Sequence, residues 1–286
     1  MSGRSAPIRI AGIREIANRF RTWFVDAYGV LHDGSAAFPG VIEALARVRQ
    51  AGSTIVIVTN SAQRIDAVAA RLSAAGIAAD AYDHIMSSGE LSWRHIEKLN
   101  AEGPALRRLF LIRQSTGPFW LKHLPNPVVE VVAEADLIVA AGMPHRTEEA
   151  TRASDLMTTL ETGAALRLPL LVADSDETYP ENGLVRLGPG WIARRYIELG
   201  GEVIEFGKPH APIFAAASDL CGVDPGAVIM VGDNLATDIA GAGRAGLASL
   251  LVLKGGLHGC LTDGELAEAA RRQGVMPTYI APGFAW

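Results

Sequence analysis

Short, continuously apolar runs alternate with stretches of helical periodicity along nearly the whole chain. The pattern predicts strands at 23–25, 54–58 and 84–86, with helices over 39–51 and 63–75 between them. Later runs at 228–231 and 249–253 read as strands, and 213–220 reads as a helix. Runs that are apolar at every position, like 55–58, belong to a parallel sheet buried on both faces. The fold class expected is therefore α/β, a doubly wound parallel, Rossmann-like sheet. Near the start, Ile13, Ile16, Ala17 and Phe20 fall at helical spacing and predict a first helix whose role is packing.

After about residue 83 the texture changes. Predicted strands at 109–112, 128–132, 137–140 and 170–173 are interrupted by Pro125, Pro127, Pro144 and Pro169. This part reads as a second α/β unit inserted into the first, and the Gly200-Gly201 pair followed by 203–205 marks the return to the parent sheet. The division expected is 1–82 with 205–286 as the core, and 83–204 as the insert.

Composition narrows the setting. A chain of 286 residues, 49% of them apolar, buries a full core, so disorder is not expected. The net charge is -5 with cations scattered among acids, which excludes a basic stripe for nucleic acid but leaves room for a local anion site. Cys221 and Cys260 are too few for a disulfide framework and lack zinc spacing, which fits a reducing, cytoplasmic setting. The first ten residues lack the apolar centre of a signal peptide, and no run reaches the roughly 18 residues of a membrane span.

Four clusters fall at predicted strand-to-loop junctions, where open α/β sheets place their ligands. Asp26 ends the run 23–25 and is followed by Tyr28; a carboxylate there is a candidate nucleophile. Thr59-Asn60-Ser61 ends another strand and enters a helix, and its hydroxyl, amide and first N–H groups form a candidate phosphate cradle. Lys208 places a cation on a loop before a helix. Asp233 stands at the tip of the run 228–231 with Asp238 about one helical turn on, a spacing that lets both carboxylates share a metal-lined cavity suited to magnesium. Taken singly, the carboxylates and Thr59-Asn60-Ser61 also read as helix caps or turn formers, and Lys208 as a solvated loop lysine.

Together, their order and spacing closely resemble the four motifs of the haloacid dehalogenase (HAD) superfamily. Only 33 positions separate Asp26 from Thr59, whereas 149 separate Thr59 from Lys208. An insert in the second gap resembles the class II arrangement with an α/β cap. The segments Gly29-Val30-Leu31-His32-Asp33-Gly34, Thr59-Asn60-Ser61, Gly207-Lys208-Pro209-His210 and Gly232-Asp233-Asn234 resemble class IIA, which contains nitrophenylphosphatase-like enzymes.

The resemblance implies an aspartyl-phosphate formed on Asp26, with Thr59 and the Asn60 backbone on the transferring oxygens and Lys208 offsetting charge. It implies Mg²⁺ held by Asp26, the Tyr28 carbonyl and Asp233, with Asp238 in support. The partner implied is a small phosphorylated metabolite, with no nucleic acid and no membrane, and a homodimer is left open.

The pattern is departed from twice. Where the superfamily's phosphatases carry an acid-base Asp, this chain has Tyr28, whose phenol is a poor proton donor and acceptor at neutral pH; slow turnover is expected. In the insert, Asp174-Ser175-Asp176 stands where an Asn-Pro-Asp turn is usual, so Asp174 and Asp176 form the expected substrate loop. Two alternatives remain at this point: a non-catalytic protein that binds a phosphorylated metabolite, and a 2-haloacid dehalogenase-like hydrolase. The 33-residue gap and Gly232-Asp233 weigh against the second.

Overall fold

The computed structural model describes residues 6–112, 119–143, 149–181, 184–256 and 258–286; Pro144 lies outside them. Strand β1 (Ile8–Arg9) and two 3₁₀ turns lead into β2 (Thr22–Val25), α1 (Val41–Gln50), β3 (Thr54–Thr59), α2 (Ile65–Ala74) and β4 (His84–Ser87). The middle of the chain forms α3 (Ser88–Glu102), β5 (Leu109–Ile112), β6 (Leu137–Ala140), α4 (Glu149–Ala165) and β7 (Leu170–Val172). A hairpin, β8 (Thr178–Glu181) and β9 (Leu184–Leu187), then precedes α5 (Pro189–Glu198) and β10 (Val203–Glu205). The last part contains α6 (Ala211–Cys221), β11 (Val228–Gly232), a π-turn (Leu235–Ile239) running into α7 (Ala240–Arg244), β12 (Ala248–Val252), α8 (Asp263–Arg272) and β13 (Tyr279–Ala281).

The chain divides into two compact units. The larger comprises Met1–Thr59, Ile65–Met86 and Lys208–Trp286, and the smaller Asn60–Arg64 and Ser87–Gly207. Among the described residues the larger unit holds a seven-stranded sheet in the order β1-β13-β12-β11-β2-β3-β4. The pairings of β2 with β3 and β11, and of β12 with β11 and β13, are parallel.

Period-two alternation decides which face each side chain takes. Leu250 and Val252 pack with Val41, Ala44, Leu45 and Val48 of α1, while Leu251 between them packs with Leu266 and Ala270 of α8. The α1 positions repeat at i, i+3, i+4 and i+7, the stripe a helix needs to cover a sheet. Helix α8 starts on a capping box, Thr262 with Glu265, which satisfies two otherwise orphaned N–H groups. The sheet is thus doubly wound, as its apolar runs require.

The smaller unit has its own four-stranded sheet, β10-β7-β6-β5, with all of its pairings parallel. Leu137 and Val139 face one apolar cluster, Ile138 and Ala140 the other. Among the described residues no helix is long and apolar enough to cross a membrane.

Four details differ from the sequence reading. The segment 203–205, expected to return to the larger sheet, pairs with β7 in the smaller one. Strand β4 belongs to the larger sheet, so the two junctions lie beyond the expected 82/83 and 204/205. Both strands are short, and periodicity says nothing about which sheet accepts them. The expected strand 128–132 makes one bridge, Val128 to Leu109, because Pro125 and Pro127 on its approach lack ladder donors. The expected first helix is two 3₁₀ turns, Ile13–Glu15 and Ala17–Arg19, whose three-residue repeat stacks Ile13 over Ile16. There Ile13 N–H donates to the Ala285 carbonyl, tying the turn to the C-terminal tail instead of to a following helical turn.

Candidate active site

The order of the larger sheet reverses at one place. From β2 the chain steps outward through β3 to β4, and from β11 it steps the other way through β12 to β13. Adjacent strands β2 and β11 therefore diverge into opposite halves, and a crevice opens past their carboxyl ends. Asp26 directly follows β2 and Asp233 directly follows β11. The Asp26 N–H donates to the Val231 carbonyl at 2.9 Å, so ladder bonding carries the nucleophile candidate to the rim of the crevice.

Lys208 lies beneath these carboxylates, only 2% exposed. Its Nζ donates to Asp26 Oδ1 at 2.6 Å and to the Val58 carbonyl at 2.9 Å, and stands 2.8 Å from Asp238 Oδ1. Three ammonium protons thus face three acceptors. Burial pulls the ammonium's pKa down, but the charges of Asp238 and Asp26 outweigh it and hold Lys208 above its ordinary range, so it stays charged. Val58 immediately precedes Thr59, the last residue of β3, which is buried at the same rim.

Asp238 is held from its other oxygen, where Oδ2 accepts from Asn234 N–H at 3.1 Å. Asn234 caps the turn with its own side chain, accepting from Ala236 N–H at 2.8 Å. The expected helical turn between Asp233 and Asp238 is a π-turn, in which Ile239 N–H reaches back five residues to the Asn234 carbonyl. Glycine is required where these carboxylates press on backbone. A Cβ on Gly29, which has φ of 84°, would stand 2.5 Å from Asp233 Oδ2, and one on Gly232 would stand 2.1 Å from Asp238 Cγ.

Carboxylate oxygens of Asp26, Asp233 and Asp238, all buried, lie within 4.8 Å of one another. Three carboxylates against one ammonium leave an excess of buried negative charge, which is costly without a further cation. Hard oxygen donors at this spacing fit a magnesium ion. The residues present therefore match the metal implied by the sequence.

Tyr28 is 39% exposed, its ring edge-to-face with His32. Neighbouring Asp33 accepts from the Ser35 N–H and hydroxyl and from Ala36 N–H, which holds its carboxyl at about 2 and makes it a turn former. In the smaller unit, Asn60 Nδ2 donates to Asp176 Oδ1 at 3.0 Å, and Asp176 N–H donates to Asp174 Oδ1 at 3.0 Å. The sequence candidates thus fall into two groups: Asp26, Tyr28, Thr59, Lys208, Asp233 and Asp238 in the larger unit, and Asn60 with Asp174 and Asp176 in the smaller.

The sequence reading passed over the loop after β12. Gly256 abuts the Asp233 side chain, and His258 Nε2 accepts from Leu235 N–H at 3.3 Å, with burial lowering the imidazole's pKa. Gly255-Gly256 after an apolar run was the available signal; His258 had none.

A parallel α/β sheet with carboxylates gathered at its switch point, a buried lysine joining two of them and a second α/β unit in the chain defines a hydrolase class. The profile described as haloacid dehalogenase-like hydrolase matches residues 23–114, and a second, described as HAD-hydrolase-like, matches 205–285. The chain is 30% identical to a D-glycerol 3-phosphate phosphatase of Mycobacterium tuberculosis over 94% of its own length and 71% of the relative's. It belongs to the haloacid dehalogenase-like hydrolases. It is also 27% identical to chronophin of Bos taurus, over 99% of this chain and 97% of that one. The crystal structure of a haloacid dehalogenase-like hydrolase from Brucella suis superposes with a TM-score of 0.78 and 29% identity, covering 96% of this chain and all of that one.

Proposed function

We propose that the chain is a magnesium-dependent phosphatase of a small phosphate monoester, with Asp26 as the nucleophile. One observation carries this reading: three buried carboxylates converge within 4.8 Å while Lys208 binds Asp26 and Asp238 together. The relative named as a glycerol phosphate phosphatase supports the reaction class.

An Asp26 carboxylate oxygen attacks phosphorus as the bond to the leaving oxygen breaks, giving an aspartyl-phosphate that water then cleaves. Lys208 fixes which oxygen of Asp26 points outward, since Oδ1 is tied at 2.6 Å. Thr59 and the Asn60 backbone N–H bind the transferring oxygens. Asp26, the Tyr28 carbonyl and Asp233 would hold the ion, with Asp238 in support. When bound, magnesium neutralises charge on the phosphoryl oxygens. Asp174 and Asp176, in the smaller unit, belong to the loop that selects substrate. Tyr28 supplies no carboxyl group for acid-base work, which costs about 10²- to 10⁴-fold and makes turnover slow. The same feature favours the second reading, a protein that binds a phosphorylated metabolite without turning it over.

Release of phosphate from 4-nitrophenyl phosphate tests the proposal. The expected result is release with Mg²⁺, none in chelator, and none from Asp26→Asn. A rate independent of metal, or one that survives Asp26→Asn, overturns the mechanism. Magnesium-dependent ligand binding without product supports the second reading.

A further inference from the structure

The Tyr28 ring occupies a built seat. Its centroid lies 5.9 Å from that of His32, with the planes at 89°. His32 is itself pinned, its Nδ1 accepting from Gly34 N–H at 2.9 Å. Gly34 has φ of 99°, and a Cβ there would approach Tyr28 Cε2 to 3.3 Å. The loop from 28 to 34 is thus shaped around an aromatic ring at the rim of the Asp26 crevice.

A departing oxygen of high pKa leaves faster when a positioned side chain protonates it. The charged groups described around Asp26 in the larger unit are committed elsewhere. Lys208 faces three acceptors, and Asp238 faces Lys208 and Asn234 N–H. Asp33 accepts three hydrogen bonds from its own turn. Asp233 is wedged between Gly29 and Gly256 in the carboxylate cluster.

We propose that this site is selective for phosphoryl donors whose leaving group departs as a stable anion, such as an aryl, acyl or anhydride oxygen, and that Tyr28 sets this preference against alkyl phosphates. The inference rests on the phosphatase reading above. In the first step the Asp26 oxygen forms a bond to phosphorus. The phosphorus–oxygen bond of the donor breaks, and its electron pair leaves with the aryl or acyl oxygen as an anion, without a proton. Water then displaces the Asp26 oxygen at phosphorus, restores the carboxylate and gives its proton to the released phosphate or to solvent.

The test measures kcat/KM of the full chain with Mg²⁺ on substituted phenyl phosphates of increasing leaving-group pKa, on acetyl phosphate and on glycerol 3-phosphate. The expected result is a steep fall, about 10²-fold or more from 4-nitrophenyl phosphate to glycerol 3-phosphate, the scale of a missing general acid. Tyr28→Asp is expected to narrow that gap, chiefly by raising the alkyl rate. Comparable rates on alkyl and aryl donors overturn the preference while leaving the phosphatase reading intact. Absence of release from every donor, or release that survives Asp26→Asn, overturns the phosphatase reading and this inference with it. A folded Tyr28→Asp that leaves the gap unchanged overturns the role of Tyr28. Should that variant misfold, the leaving-group dependence of the unaltered chain still decides the preference.

Discussion

The two parallel sheets are built alike but end differently. Both bury alternating apolar side chains on each face, yet the larger reverses its strand order between β2 and β11, whereas the smaller runs β5, β6, β7, β10 in one direction. At the reversal, neighbouring strand ends are not covered by one continuous connection, and Asp26, Asp233, Asp238 and Lys208 fill the gap. Among the described residues no comparable group of three metal-ligating side chains is found at the ends of the smaller sheet. The difference teaches that apolar patterning builds a sheet, while its connectivity decides whether charge can be gathered at one end.

The sharpest way to break the comparison is Lys208→Met. Removing the ammonium leaves Asp26 and Asp238 facing each other without their shared counter-charge, a loss of about 3–5 kcal/mol for one partner of a buried pair. Urea denaturation measures it, and phosphate release is expected to vanish as well. Stability close to that of the unaltered chain would show that the buried charges do not depend on one another.

Leu171→Ala applies the same scrutiny to the smaller sheet, where only packing is at stake. Leu171 is fully buried, and its truncation is expected to cost about 2–5 kcal/mol through lost contacts and a cavity. Magnesium binding, measured by calorimetry below the variant's unfolding transition, is expected to persist. Loss of that binding would mean that the switch-point site depends on the smaller core.

The smallest effect concerns Asp33, exposed in the loop that seats Tyr28. Its carboxyl is held at about 2, below the usual 3.8, by hydrogen bonds from Ser35 and Ala36. A depressed folded value means that the unfolded chain binds the proton first, so the stabilisation is present above about 3.8 and is lost as pH falls towards 2. Thermal melts of the unaltered chain and Asp33→Asn should therefore differ above pH 4 and converge near pH 2. Curves that stay parallel throughout would show that the turn does not draw on the carboxylate's charge.

Much of this was legible in the chain because burial leaves a local signature. The runs ending at Val25, Thr59 and Gly232 are apolar at most positions, so each terminates visibly at a polar residue of the candidate site. Elements with a weaker signature were misplaced. Val203–Glu205 is a strand whichever sheet receives it, and only its pairing with β7 assigns it. Ile13 and Ile16 are buried as expected, but their three-residue spacing fits a 3₁₀ repeat as well as an α-helix. His258 carries no local pattern at all, since its partner, the Leu235 N–H, is brought to it by the fold.

The sequence alone therefore determined the layered α/β class and the placement of Asp26 and Asp233 at strand ends, because both follow from local alternation and its abrupt ends. Only the tertiary structure decided that Lys208 lies buried between Asp26 and Asp238, that Asn60 turns its amide to Asp176, and that the Tyr28 ring rests on His32. Those contacts join residues brought together by strand order, sheet pairing and turn geometry, whose energies act across space and leave no periodicity in the chain.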